Sequence, residues 1–284
     1  MKWIIVVCLF GLALSKPQYE PINLYYHETT GIPMAAAIKR SEESSDFSGN
    51  RIIGGSPATL MDNPWFGGLL ITLRWSSLVS VCGSSLLSNT KVLTAAHCWF
   101  DGRDTASFAI VVLGSQKLFS GGLRISTMGS LVFPSFNPIN LHNDIAILTI
   151  PFTEYTLHVR NIALPSGDAL NSHFTGAIGR IAGYGRQSDL SGISMDQQLH
   201  QVNLTVVSNE YCQYYFSPSI VVNTTLCTHD IGRSTCGGDS GGGLVTNNTL
   251  IGVASFVSAA GCQRNFAVGF TRVTGYVNWI NSNL

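Results

Sequence analysis

Three short segments of the chain carry residue types that together could perform acyl transfer. Thr94-Ala95-Ala96-His97-Cys98 sets a histidine between small residues and a cysteine able to pin it through a disulfide. His142-Asn143-Asp144-Ile145-Ala146-Ile147-Leu148 puts an aspartate directly before a run of buried-strand character. Cys236-Gly237-Gly238-Asp239-Ser240-Gly241-Gly242 embeds a serine in glycines, which let a substrate backbone come close and leave N–H groups free to converge on one point. Singly, each has a bland reading: a structural histidine, a turn aspartate, a plain loop. Jointly they supply what serine acyl transfer requires. The hydroxyl is a weak nucleophile, the imidazole takes its proton, and a buried carboxylate holds the imidazole in the working tautomer.

The elements that must position these groups read as short strands. β-branched or alternating runs at Leu69–Leu73, Val92–Leu93, Ala109–Leu113, Ile145–Ile150, Val202–Val207 and Leu250–Val253 are separated by Gly, Ser, Asn and Pro clusters. Helix–strand alternation is missing, which argues against a parallel α/β fold. One helical period stands out, Val273, Val277, Ile280 and Leu284 at the C-terminus. The fold class predicted from the residues is all-β with a terminal helix.

Composition narrows the function. Hydrophobic residues make up 45% of 284 and charged residues 11%, and sixteen Lys+Arg balance sixteen Asp+Glu. A nucleic-acid binder would need a basic surplus, and a disordered chain low hydrophobicity with high net charge. Residues 1–15 read as a secretory signal, with Lys2 ahead of a short apolar core and Ala13-Leu14-Ser15 as the cleavage site. Twelve apolar residues (Trp3 to Leu14) are too few to span about 30 Å of hydrocarbon, so no membrane association is expected. Residues 16–51 differ in texture from the remainder of the chain. Ser41-Glu42-Glu43-Ser44-Ser45-Asp46 lacks an apolar period and reads as a flexible, protease-accessible stretch. After Arg51 the chain turns apolar and glycine-rich, and a basic residue at such a junction is where limited proteolysis falls.

Of seven cysteines, Cys8 leaves with the signal. Cys82, Cys98, Cys212, Cys227, Cys236 and Cys262 then suggest three disulfides, with fifteen pairings open on arithmetic alone. No CxxC pair offers a zinc site.

The motifs TAAHC, NDIAIL and GDSGG, in that order and about 45 and 95 residues apart, make the stretch from Arg51 to the C-terminus resemble a chymotrypsin-family serine protease. The resemblance implies two antiparallel six-stranded β-barrels with a C-terminal helix, over a protease domain of residues 52–284. It implies His97 as general base, Asp144 as its orienter, Ser240 as nucleophile, and the N–H groups of Gly238 and Ser240 as the oxyanion hole. Ser255 matches the serine that bonds the triad aspartate in this family. The cysteines would pair as Cys82–Cys98, Cys212–Cys227 and Cys236–Cys262. Residues 16–51 become an activation propeptide, cut after Arg51 by a trypsin-like protease, and the freed Ile52 ammonium pairs with Asp239. No cysteine lies between Ser15 and Arg51, so the propeptide should be released.

The resemblance puts Ser234, six residues before Ser240, at the base of the substrate pocket, where a neutral hydroxyl would not offset the desolvation of a substrate cation, so trypsin-like cleavage is disfavoured. Val257 and Val268 would narrow the pocket toward small aliphatic residues. A one-residue shift would place Gly269 there instead and leave Phe, Tyr or Leu open. Gly243 stands where the family usually has Pro, a change expected to loosen the loop, and Tyr184 replaces a common Trp. No Asp or Glu occurs between Asp104 and Asp144, so neither calcium nor any cofactor is expected. From Ile52 onward two Lys stand against nine Arg, a bias that suits an alkaline gut lumen and resembles insect digestive members. Asn203, Asn223 and Asn247 begin glycosylation sequons.

The expected protein is a secreted, monomeric, digestive serine endopeptidase acting on proteins and peptides and open to protein inhibitors. The alternative is a catalytically silent relative that binds or regulates. An esterase is set aside: Gly238-Asp239-Ser240-Gly241-Gly242 fits its GxSxG, but the β-rich pattern and the His–Asp–Ser order do not.

Overall fold

In the computed structural model, residues 18–44, 56–186 and 198–284 are described. The signal segment and the Arg51–Ile52 junction lie outside them. The first half of the body carries β1 (Ser56–Pro57), β2 (Phe66–Leu73), β3 (Val79–Ser88), β4 (Lys91–Thr94), β5 (Ala106–Leu113), β6 (Leu123–Thr127), β7 (Gly129–Val132) and β8 (Ala146–Thr149). The second carries β9 (Ile178–Gly183), β10 (His200–Val207), β11 (Thr225–Thr228), β12 (Gly243–Thr246), β13 (Thr249–Phe256) and β14 (Val268–Arg272).

All strand pairings are antiparallel. One sheet runs β6-β5-β2-β3-β4-β8-β7 and curls as a half-barrel. In the other, β10-β11-β14-β13-β12-β9 closes into a six-strand barrel through β9–β10, with β1 added outside β10. Each run read as a strand falls on one, with Ile145 and Ile150 just outside β8. The remaining strands carried no such run, among them β3 and β6, whose serines and arginine interrupt the apolar signal.

The two sheets meet through glycines. A Cβ on Gly83 of β3 would fall 2.9 Å from the Cα of Gly242, and the Gly83 N–H donates to the Ser240 carbonyl at 2.7 Å. The serine loop is therefore held against the other sheet by backbone alone. Gly243, expected to loosen this loop, instead opens β12 in register with Val253, tight against Ser85 and Leu250. Tyr184 is buried, edge-tilted against Phe66, with its hydroxyl donating to Ser115 O at 2.7 Å.

At the C-terminus a 3-10 turn Val273–Tyr276 leads into the terminal helix at Val277–Asn281. Val273, Val277 and Ile280 are buried, while Leu284 lies past the helix end and is exposed.

The N-terminal segment departs from expectation. A π-helical turn His27–Gly31 continues into α1 (Ile32–Glu43), which buries Met34, Ala35, Ile38 and Ser41. The acidic stretch that reads as solvated is anchored: the Glu42 carboxylate accepts from the N–H groups of Leu118 (2.6 Å) and Phe119 (3.1 Å). A charged residue signals solvent only when no backbone donors wait for it, and here they lie far along the chain.

Gly83→Ala should push the serine loop off β3 and cost about 1–3 kcal/mol through forced backbone displacement. The check is a fall in Tm accompanied by a disproportionate loss of turnover.

Candidate active site

His97 sits in a short 3-10 turn, Ala96–Cys98, directly after β4, and the Cys82–Cys98 bridge ties that turn to β3. Asp144 lies just before β8, which pairs with β4, so the β4–β8 ladder brings the two residues together. Asn143 takes a left-handed φ of 58°, which asparagine tolerates, and its Oδ1 accepts from the Tyr276 hydroxyl at 2.7 Å.

The Asp144 carboxylate is fully buried and saturated by donors. Oδ1 accepts the His97 backbone N–H at 2.8 Å, and Oδ2 meets His97 Nδ1 at 2.7 Å and the Ser255 hydroxyl at 2.6 Å. With Nδ1 committed to the carboxylate, Nε2 is left to accept a proton. It is buried and has no hydrogen-bond partner among the described residues. The sulfurs of Cys82 and Cys98 lie within 4.8 Å of the His97 ring, but they are bonded to each other and offer no thiolate to a metal.

Ser240 stands in the tight turn before β12, with Gly238 at φ +103° and Gly241 at +81°. A side chain at Gly241 would collide with Thr94 Oγ1 and Gly83 O, at 2.2 and 2.5 Å. Asp239, next to the serine, points inward and accepts from Gly185 N–H (2.9 Å) and Cys236 N–H (3.0 Å). Burial raises its carboxyl to about 6 against those two bonds, and among the described residues no cation pairs with it.

A cavity of about 280 Å³ opens beside Ser240, walled by Val257 and Val268 and closed by the Cys236–Cys262 bridge. Val268 and not Gly269 faces it, because Gly269 is paired with Phe256 and lies directly under that ring. Ser234 is buried, its hydroxyl donating to the Thr235 carbonyl at 2.8 Å, and its neighbour Thr235 lines the cavity. The third bridge, Cys212–Cys227, joins α2 (Asn209–Cys212) to β11. The sequence reading missed Thr271, whose hydroxyl donates to the Asp144 carbonyl at 2.7 Å; no motif marks a β-strand threonine for that role.

Fold and site together define a serine endopeptidase. The sequence model of the Trypsin family matches residues 52–280, and the chain belongs to that family. It is 40% identical over 237 residues to a collagenase of Hypoderma lineatum, covering 82% of this chain and 87% of that protein. Brachyurin of Leptuca pugilator is 34% identical over 236 residues, covering 81% of this chain and 97% of the relative. A solved structure of HL collagenase superposes with a TM-score of 0.74 at 38% identity, covering 82% of this chain and 98% of the other. An inactivated protease paralogue of the scabies mite gives 0.71 at 25%, covering 82% and 97%.

The geometry sets two expectations. Ser255→Ala removes a donor from a buried carboxylate, at about 1–3 kcal/mol, and should lower kcat by roughly tenfold or more with KM little changed; steady-state kinetics decide it. For Asp239, the folded carboxyl lies above its ordinary 3.8, so the uncut fold holds a proton the unfolded chain has released. That contribution is full below about pH 4 and is lost as pH rises through about 6, an effect on the order of 3 kcal/mol. The Asp239→Asn chain, tested uncut, should therefore lose less stability than the wild type between pH 4 and 7 in calorimetry.

Proposed function

We propose that the chain is a secreted pro-protease whose signal is residues 1–15 and whose propeptide is residues 16–51, cut after Arg51 by a trypsin-like enzyme. His97 is the general base, Asp144 its orienter and Ser240 the nucleophile, with the Gly238 and Ser240 N–H groups holding the oxyanion. The observation that carries this reading is the saturated Asp144 carboxylate, which commits Nδ1 of His97 and leaves Nε2 for a serine proton. The alternative of a silent relative loses ground on the same observation.

The family match beginning at Ile52 supports the activation boundary. Asp239 supports the mechanism: a buried carboxylate without a partner is costly, and the ammonium of a new Ile52 terminus would supply one. That pairing would fix the loop from Gly238 to Ser240 and hence the oxyanion donors, each worth about 2.7–4 kcal/mol of barrier in enzymes of this kind. Ser240 would then attack the substrate carbonyl as His97 takes its proton. The acyl-enzyme forms as the amine leaves with that proton, and water repeats the sequence in reverse.

Val257 and Val268 favour small aliphatic side chains, and among the described residues no carboxylate lines the cavity to hold a Lys or Arg. We read the preference as elastase- or chymotrypsin-like, the setting as digestive, and protein inhibitors as natural partners. Among the described residues no helix is long and apolar enough to cross a membrane.

Secreted protein treated briefly with trypsin, with the trypsin then selectively inhibited, should gain turnover only once Ile52 is the terminus. Peptides ending in Ala or Val should be cut faster than those ending in Arg. Val268→Gly should shift the ratio of kcat/KM values toward Phe over Ala by about 10-fold or more. No turnover from a chain with a clean Ile52 terminus, freed of the severed N-terminal fragment, would remove the reading.

A further inference from the structure

Residues 18–44 lie in the catalytic cleft, and the way they lie there has a definite chemistry. The segment enters extended along the loop that follows β13, held by main-chain bonds: Glu20 N–H donates to Tyr215 O at 2.9 Å, Ala259 N–H to Pro21 O at 2.8 Å, and Asn23 N–H to Val257 O at 3.3 Å. Ile22 bridges Ser258 in antiparallel sense. An extended peptide docked on a free sheet edge is held in this way, by main-chain bonds. Beside Ser240 that would place the next peptide bonds within reach of the nucleophile.

The chain then turns off. Tyr25 adopts a left-handed φ of 55°, its carbonyl accepts from Thr29 N–H at 3.1 Å, and the π-helical turn His27–Gly31 comes at once. Among the described residues no main-chain hydrogen bond joins this turn to Ser240. The Tyr26 side chain goes in instead. Its ring stands edge-on to the His97 imidazole at 4.9 Å, and its hydroxyl donates to Val81 O at 2.7 Å. Burial raises the pKa of that hydroxyl, and the residue lines the same cavity as Ser240.

Three further anchors hold the segment. His27 is fully buried, its N–H on Asp101 at 2.9 Å and its Nδ1 beside Ser80 Oγ at 2.8 Å. Thr29 and Thr30 line the cavity, with Thr30 packed over Gly237. Glu42 caps the Leu118–Phe119 N–H pair.

We propose that residues 18–44 are a built-in, uncleavable inhibitor of the cleft, a tethered ligand that binds as a substrate would as far as Asn23 and then seals His97 and Ser240 with the Tyr26 side chain. The proposal rests on the reading of residues 16–51 as a propeptide and adds a second lock to it. The cut at Arg51 does not by itself expel the occupant, because none of these contacts involves the junction. The severed segment stays as a competitive inhibitor until it dissociates.

The test uses the full-length chain cut at Arg51, with Ile52 confirmed as the new terminus, assayed at a series of dilutions. The wild type should keep its fragment in gel filtration at micromolar concentration. Its apparent KM should fall at least about tenfold on dilution while kcat is unchanged. Tyr26→Ala should be fully active at every concentration, and Asn23→Pro, which lacks the N–H aimed at Val257, should behave likewise if the tyrosine variant does not fold. A cut wild type that sheds its fragment and is fully active at micromolar concentration overturns the inference and leaves the protease and its activation intact. Full activity of the uncut wild type overturns both the propeptide reading and the inference with it. A cut, fragment-free Tyr26→Ala chain that turns over nothing removes the protease reading, and the inhibitor with it.

Discussion

A single buried carboxylate organises this molecule. Asp144 has no exposed surface, and an ionised carboxylate in that position is tolerated only if donors replace its water. The donors come from three places: the turn after β4 through the backbone N–H and Nδ1 of His97, β13 through Ser255, and β14 through Thr271 to its backbone carbonyl. Two belong to the closed barrel and one to the half-barrel. The requirement to satisfy Asp144 is thus also a requirement that the two sheets meet at one relative position, and the histidine orientation comes with it. Catalytic geometry and sheet packing are the same constraint seen from two sides.

Ser240 is held by a different device. Around Ser240 side chains are missing where the two sheets touch, so that Gly83 and Gly242 approach at backbone distance and the Ser240 carbonyl is taken by Gly83 N–H. The consequence is a stiff loop over a soft neighbour. Asp239, one residue away, is satisfied by two N–H groups but not neutralised. A loop fixed at its serine carbonyl and under-compensated at its aspartate has room to respond to a new cation without moving the nucleophile's anchor.

Much of this was legible in the residues, because the chemistry is local there. TAAHC, NDIAIL and GDSGG each carry a functional side chain with its immediate positioning neighbours, and the buried strands announce themselves as apolar runs. What escaped is non-local. Thr271 contributes a hydroxyl across 127 positions, and nothing near it marks the partner. The partner of the buried Ser234 hydroxyl, the Thr235 carbonyl, is likewise not marked by any motif. The N-terminal segment misled most, since Glu42 gives the impression of solvent in a sequence while its partners at Leu118 and Phe119 lie 76 and 77 positions away. Polar residues report exposure only on average; a backbone donor pair elsewhere overrides them.

The N-terminal segment and Asp239 would restrain the same site by unlike physics. An unpaired Asp239 is a deficiency within the body, which on the proposed activation would be repaired by a covalent event that creates a cation. The segment over His97 and Ser240 is a surplus of contacts, lost by dissociation and therefore sensitive to concentration once the chain is cut. The two meet at the loop that carries Ser240, which Asp239 would order and which borders the same cavity as Tyr26. While Tyr26 is in place its packing there would offset part of what the missing cation withholds. Departure of the tyrosine before the Ile52 ammonium arrives would leave the loop with neither support, so the order of cut first and release second is the one that keeps the nucleophile positioned throughout.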